Sequence, residues 1–283
     1  MVTISLHHAL RQAQQTGLAR IDAQMLLLHT LGRSAHDRAW LLAHDQDAIA
    51  PEALAQFQAL CQRRAAGEPV AYLLGHKAFY GLELAVDARV LDPRPDTEAL
   101  VDWALQVLQH CSAPRIVDLG TGSGAIALAL QSQRQDAQVL AVDASSAALQ
   151  VARTNAQRLR LPVQFAQGDW LAGLAGPFDA IVSNPPYIAA HDPHLAALTH
   201  EPLSALASGA DGLDDIRRII AAAPALLAPG GWLLLEHGWD QADAVQALLR
   251  ESGLQQVQGR CDLAGTVRCS GAQSPGAQKM HQQ

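Results

Sequence analysis

Cysteine is scarce. The four in 283 residues, Cys61, Cys111, Cys261 and Cys269, show neither C-x-x-C spacing nor flanking histidines at finger spacing. That pattern excludes a zinc finger, and a chain this long with so few cysteines is not a disulfide scaffold. No metal site is expected. Basic residues are also short. The count of 20 Lys+Arg against 27 Asp+Glu leaves a formal net charge of -7, the reverse of what a protein gripping a nucleic-acid backbone by charge carries. No apolar run approaches the roughly 20 residues that cross a bilayer. The first residues lack a basic start followed by an apolar stretch, so neither a secretory leader nor a membrane span is expected, and a cytoplasmic location follows. Internal repeats are absent. What is present is apolar side chain: 49% of residues are hydrophobic and only 17% charged. A sizeable core can form and disorder throughout is excluded. At about 150 residues per domain, the length fits one large domain or two modest ones.

The texture divides the chain. Residues 1–75 read as helical. Leu18, Ile21, Met25, Leu26, Leu28 and Leu31 recur at helix spacing up to Gly32, and Pro51 and Glu52 open a helix with Leu54, Phe57 and Leu60 on one face. Over residues 76–97 the alternation Leu82, Leu84, Val86 has period two and predicts a hairpin. Two prolines in Asp92-Pro-Arg-Pro-Asp-Thr-Glu98 then forbid a regular element, and by composition this stretch is a linker, with Asp96 or Thr97 placed to cap the helix that follows. From residue 98 to about 270, strand and helix alternate, with strands ending at Leu119, Asp143, Gln167, Ser183 and Glu236. That rhythm predicts an α/β fold, a doubly wound, mostly parallel sheet. The stretch 271–283 is rich in Gln, Gly, Ser and Pro and is expected to be a disordered tail.

Three motifs carry chemistry. The first, Val117-Asp-Leu-Gly-Thr-Gly-Ser-Gly124, closes the first parallel strand, where doubly wound sheets bind their ligands. Gly120, Gly122 and Gly124 let a ligand approach the backbone, Thr121 and Ser123 lie between them, and the next helix offers free N–H groups. The glycines also fit G-x-G-x-x-A through Ala125, so they do not exclude a dinucleotide. Asp118 argues otherwise, because a carboxylate just before the glycines repels a pyrophosphate and suits an amino group or sulfonium. The second motif is Asp143, at the end of the next strand, where a carboxylate can accept both hydroxyls of a ribose, although Asp there can also be a simple cap. Together they read as an adenosine-containing ligand with a cationic or zwitterionic tail. S-adenosylmethionine fits better than a dinucleotide.

The third motif is Ser183-Asn-Pro-Pro-Tyr187, at the carboxyl end of the fourth strand. It suits methylation of a planar amide or amine nitrogen, a poor nucleophile whose two N–H groups need two acceptors. Asn184 has a side-chain carbonyl, Pro185 a backbone carbonyl on a segment stiffened by Pro186, and Tyr187 a flat face and a hydroxyl. A proline-stiffened loop with a packed tyrosine is the bland alternative. Trp170, ending the third strand, could stack on an adenine or close the core. His237 follows Glu236 at the end of the fifth strand, and a lone histidine of this kind is more often a structural hydrogen-bonder.

These motifs resemble class I S-adenosylmethionine-dependent methyltransferases that act on amino groups. Gly67-Glu-Pro-Val-Ala-Tyr-Leu-Leu-Gly75, Pro93-Arg-Pro-Asp-Thr-Glu98 and Leu234-Leu-Glu-His-Gly238 extend the likeness over roughly residues 5–270, to the peptide chain release factor glutamine methyltransferase family. The resemblance implies an N-terminal helical domain for substrate recognition, a hairpin linker and a catalytic domain. It implies methyl transfer from S-adenosylmethionine to the glutamine amide of the Gly-Gly-Gln motif of class 1 release factors, by a monomer that touches neither nucleic acid nor membrane. Carried over by motif, Asp118, Gly120 to Gly124, Asp143 and Trp170 would bind cofactor. Asn184 would touch cofactor and substrate, and Pro185, Pro186 and Tyr187 would line the glutamine site, with Arg94 to Glu98 near its mouth. The linker reading is thereby demoted.

Three competing readings remain. A sister enzyme acts on a glutamine of a large-subunit ribosomal protein, but Arg-Ser-Pro-Ile is expected there in place of Arg94-Pro-Asp-Thr97. An adenine amino-methyltransferase of DNA or RNA would need base flipping and phosphate contacts, against the net acidity. A module that binds cofactor without turnover would have no use for the Asn184 motif.

Overall fold

The computed structural model describes residues 4–262 and 264–276. The chain forms two compact units, one made of residues up to His76 together with Ala197–His200, the other of the remainder.

The first unit is helical: α1 (Leu6–Gln15), α2 (Arg20–Thr30), α3 (Arg38–Ala43), α4 (Pro51–Ala65) and α5 (Val70–Leu74). The Ser5 hydroxyl accepts from His8 N at 3.2 Å and caps α1. The consecutive Leu26, Leu27 and Leu28 are all fully buried, which no single helix face allows. Helix α2 is covered on several sides, by α1, α3, α4 and α5. The expected stripe is therefore displaced: Ile21 is exposed, and on α4 the buried pair is Phe57 and Cys61, with Leu54 and Leu60 only half-buried.

The second unit opens with the hairpin β1 (His76–Phe79) and β2 (Leu82–Ala85). Phe79 and Leu84 enter the same core as Leu100, Trp103 and Ile116, so this segment is built into the sheet unit. A 3-10 turn, Pro95–Thr97, leads into α6 (Glu98–Val107). Then follow β3 (Arg115–Leu119), α7 (Ala125–Gln133), β4 (Gln138–Asp143), α8 (Ser146–Leu159), β5 (Gln164–Gln167), β6 (Phe178–Ser183), α9 (Asp214–Ala222), β7 (Leu227–Glu236), α10 (Ala242–Glu251), β8 (Gln255–Cys261) and β9 (Val267–Gln273). The seven strands lie in the order β5-β4-β3-β6-β7-β9-β8. Strands β3 to β7 pair in parallel, and β9 runs antiparallel between β7 and β8. Buried aliphatic side chains fill both faces, as two-sided helix cover requires.

The chain order reverses between β3 and β6, so the crevice for a ligand lies beyond the carboxyl ends of β3, β4 and β6. Ser183 Oγ donates to Leu119 O at 2.8 Å and ties two of those ends together. The wholly buried Asn155 of α8 accepts from Ala85 N at 2.7 Å and donates to Ser123 O at 2.9 Å, which fixes the glycine loop to the hairpin.

Residues 271–273 are not tail. They end β9, where Gly271 and Ala272 are buried. A Cβ on Gly271 would stand 2.6 Å from Leu234 Cδ2 and 2.8 Å from Trp103. The small residues mistaken for low complexity are those a tightly covered strand demands. The rest of the expected tail, from residue 277, lies outside the described residues.

Candidate active site

The turn after β3 is held by its neighbours. Thr121 N donates to Val142 O at 3.0 Å and Gly122 N to Asp143 Oδ2 at 2.9 Å. The other Asp143 oxygen accepts from Ser145 N at 2.8 Å. Each carboxylate oxygen keeps a lone pair beyond these bonds. Gly120 has φ +67°, and a Cβ there would meet the Trp170 ring at 3.1 Å. Glycine is needed for the turn and for the close approach of the indole. Asp118 lies beneath the loop, wholly buried, and accepts from Thr121 Oγ1 at 2.6 Å and Ala127 N at 3.2 Å. Burial pushes its carboxyl up to about 7, with the nearby Asp143 charge adding to the rise. Both bonds fall on Oδ2 and brace the turn, while Oδ1 has no hydrogen-bond partner.

A cavity of about 290 Å³ opens above the loop, near the lower end of the range for small-molecule sites. Gly120, Gly122, Asp143, Trp170, Asn184 and Pro186 share its wall. Thr121, Ser123 and Gly124 belong to the turn beneath, and Pro185 and Tyr187 lie off the wall. Trp170 Nε1 donates to Asp215 Oδ1 at 2.9 Å, Ser208 Oγ donates to Asp215 Oδ2 at 2.8 Å, and Arg218 pairs with Asp169.

The segment after β6 is held at several points. Asn184 Nδ2 donates to Thr97 Oγ1 at 3.1 Å. Pro185 and Pro186 are buried. Arg268 Nη2 donates to the Tyr187 hydroxyl at 3.1 Å and its guanidinium stands 5.6 Å from the ring centroid. Burial chiefly, and then the Glu236 charge, push the phenol up to about 12, so it stays protonated. Gln241 Nε2 donates to Tyr187 O at 2.9 Å, and a Cβ on Gly212 would stand 2.1 Å from that carbonyl. Arg94 Nη2 pairs with the buried Glu201 at 2.6 Å, so the proline-rich stretch is anchored to the loop that follows the motif.

His237 is fully buried with both ring nitrogens engaged, Nδ1 at 2.8 Å from Gly238 O and Nε2 at 2.8 Å from Ser270 Oγ. Burial lowers its pKa, and its position is structural. Sequence reasoning missed Asp215, Arg268, Gln241 and Glu201, which reach the site from distant segments. The sequence puts Thr97 at a helix cap and near the mouth of the site, but not against Asn184.

The arrangement defines a methyltransferase. The family described as Methyltransferase small domain matches residues 97–210, and the catalytic domain of hMettl16 shares the fold, with TM-score 0.56 at 18% identity over 68% of this chain and 76% of that one. The family described as PrmC N-terminal domain matches residues 5–75. The release factor glutamine methyltransferase of Bordetella pertussis is 53% identical over 259 residues, 90% of this chain and 95% of that protein. Its counterpart in Xylella fastidiosa is 51% identical over 272 residues, 95% and 98% of the two chains. The chain belongs to the release factor glutamine methyltransferase family.

Proposed function

We propose that this enzyme transfers a methyl group from S-adenosylmethionine to the side-chain amide nitrogen of the glutamine in the Gly-Gly-Gln motif of class 1 peptide chain release factors. One observation carries the reading. Asn184 and Pro186 stand on the wall of the same cavity as Gly120, Gly122 and Asp143, so a nitrogen held by the Asn-Pro-Pro-Tyr segment lies beside whatever the glycine loop holds. The residues fit the cofactor: Gly120 has no side chain where a Cβ would fill the cradle against Trp170, and the Asp143 carboxylate retains acceptor capacity on the cavity wall. Gly120, Gly122, Asp143 and Trp170 would hold it. When bound, it supplies an electrophilic methyl group.

The protein supplies orientation. The donor half of the Asn184 amide is engaged by Thr97, which leaves Oδ1 to accept an N–H of the substrate amide. The Pro185 carbonyl is the second acceptor, on a segment whose dihedrals the prolines restrict. Two acceptors turn the nitrogen lone pair toward the methyl donor, and such positioning can supply several kcal/mol of the barrier reduction. The partner is a protein loop, so the -7 charge is no obstacle, and the enzyme acts in the cytoplasm as a monomer without contacting nucleic acid. Incubation with labelled S-adenosylmethionine and, in parallel, release factor, ribosomal protein and DNA tests the reading. Label is expected on the release-factor glutamine. Label on ribosomal protein or DNA alone overturns it.

A further inference from the structure

A tyrosine ring serves as a flat wall only when its tilt is fixed. Tyr187 lies off the wall of the cofactor cavity, so its part in the reaction falls on the substrate side. Its main chain is held where Gln241 Nε2 donates to Tyr187 O at 2.9 Å. That bond leaves the side-chain torsions free. The ring needs a second hold at its far end, the hydroxyl.

Arg268 supplies that hold. Its Nη2 donates to the Tyr187 hydroxyl at 3.1 Å, and its guanidinium stands 5.6 Å from the ring centroid, inside the range of about 6 Å over which an aromatic ring attracts a cation. A guanidinium only donates and does not lose its charge, so the phenol oxygen must accept here. The phenol proton points elsewhere, and its acceptor is Glu236 Oε1 at 3.5 Å, a long bond and therefore a weak one. The hydroxyl then has no proton to give the substrate, and Tyr187 acts by its ring. We propose that Arg268, acting through the Tyr187 hydroxyl, is the positioning residue that sets the tilt of the Tyr187 ring beside the substrate amide; the inference rests on the proposed glutamine substrate.

Three further features support it. Strand β9 runs antiparallel to β7 with Cys269 opposite Glu236, and His237 N donates to Arg268 O at 2.9 Å. Arg268 therefore enters at the carboxyl end of β7, the end at which such sheets carry their sites. Among the described residues, the Arg268 side chain makes no hydrogen bond other than the one to Tyr187. Finally, Glu236 is 1% exposed, and both Glu236 Oε2 and Arg268 Nε are buried without a hydrogen-bond partner. Unmet buried groups count against stability. A direct pair of the two would relieve both, yet each is turned to the phenol that stands between them.

The test uses the whole enzyme and a double-mutant cycle of Arg268→Met and Tyr187→Phe, every variant checked for a native melting transition. Methionine keeps an apolar stem without a donor, and phenylalanine keeps the ring without its hydroxyl. Each single variant is expected to lower kcat about 10- to 100-fold, the cost of a misplaced reactant, while S-adenosylmethionine affinity measured by calorimetry stays near wild type. Residues that act through one shared bond are not additive, so the double variant should match the worse single variant to within about twofold. An arginine that only braced the sheet edge would cost the same in either background. Losses that multiply, or wild-type kcat in either single variant, overturn the proposal. A second measurement needs no substrate. The chain has three tyrosines, so the 13Cζ resonance of Tyr187 in a tyrosine-labelled sample is assigned by its loss in Tyr187→Phe. A shift of that resonance in Arg268→Met supports the inference, and an unmoved resonance overturns it. Wild-type enzyme that labels no release factor refutes the substrate instead.

Discussion

The indole Nε1 of Trp170 donates to Asp215 Oδ1 at 2.9 Å, and this bond fixes the ring at the cavity wall above Gly120. A hydrogen bond to a charged acceptor contributes about 1.5–3 kcal/mol. Asp215→Leu is expected to weaken S-adenosylmethionine binding about tenfold, measured by calorimetry, while Asp215→Asn, which keeps an acceptor, loses less. Equal affinity in Asp215→Leu and wild type would show that Trp170 does not touch the cofactor.

Gly120 and Gly122 separate strain from contact. Both have positive φ, +67° and +55°, but only at Gly120 would a Cβ press on the Trp170 ring, at 3.1 Å. At Gly122 the nearest atom is Gly120 O at 4.0 Å. A left-handed non-glycine residue costs about 1–2 kcal/mol, and both alanine variants are expected to melt a few degrees lower. Cofactor affinity should fall further in Gly120→Ala than in Gly122→Ala. The reverse order in a binding titration would put the ligand elsewhere.

The centre of the parallel half was readable because β3, β6 and the end of β7 are buried on both faces. The segments ending at Leu119, Ser183 and Glu236 are apolar runs with glycine or proline close beyond their ends. The antiparallel edge was not readable. Gln255–Cys261 is polar and half-exposed, with Val257 its one branched aliphatic residue. Val267–Gln273 owes its small side chains to Leu234 and Trp103, which lie far away in sequence. The Pro229-Gly230-Gly231 stretch reads as a turn but lies within β7, where the pairing with β6 shifts register. At the site, the glycine loop, Asp143 and Asn184 announce themselves by local pattern. The role of Thr97 does not, since its hydroxyl meets Asn184 only after the sheet brings the end of β6 to the start of α6. For Asp118 the charge is visible in the sequence, but its complete burial is not.

Gly212 tests the hold on Tyr187 from outside the motif. Its φ is +80°, and an added Cβ would lie 2.1 Å from Tyr187 O and 2.8 Å from Gln241 Nε2. The Tyr187 backbone must then move. Gly212→Ala is expected to lower kcat more than tenfold, following the sensitivity of rate to a displacement of about 1 Å, with cofactor affinity retained. Gly253→Ala, at φ +82° with open space around it, carries the strain alone and should leave kcat unchanged. A kcat in Gly212→Ala equal to that of the Gly253→Ala control would exclude the hold.

Glu236 also makes a stability prediction with a definite sign. Its folded pKa is raised from 4.5 to about 7, chiefly by burial. Between those values the folded chain binds more protons than the unfolded chain, so stability falls as pH rises through the window. Glu236→Gln lacks that slope. Stability of the variant relative to wild type should therefore climb from pH 4.5 to 7 and level off above, by on the order of 2–3 kcal/mol. Asp118 has the same sign but is present in both proteins and cancels. Urea unfolding of both at pH 5 and pH 8 measures the difference, and a gap that does not change with pH would refute the burial argument.

Arg94 and Glu201 offer the last test. Their contact of 2.6 Å joins a half-exposed guanidinium to a carboxylate whose side chain is 2% exposed. Glu201 also accepts from Asp92 N at 3.3 Å. Removing the cation leaves a buried anion without its partner, which costs about 3 kcal/mol in comparable cases. Arg94→Ala is expected to lose that much in denaturant unfolding. Adding Glu201→Gln removes the stranded charge while keeping an acceptor for Asp92 N, and should recover a large part of the loss. Should the double variant be no more stable than Arg94→Ala, the loss came from packing of the arginine stem instead of the uncompensated carboxylate.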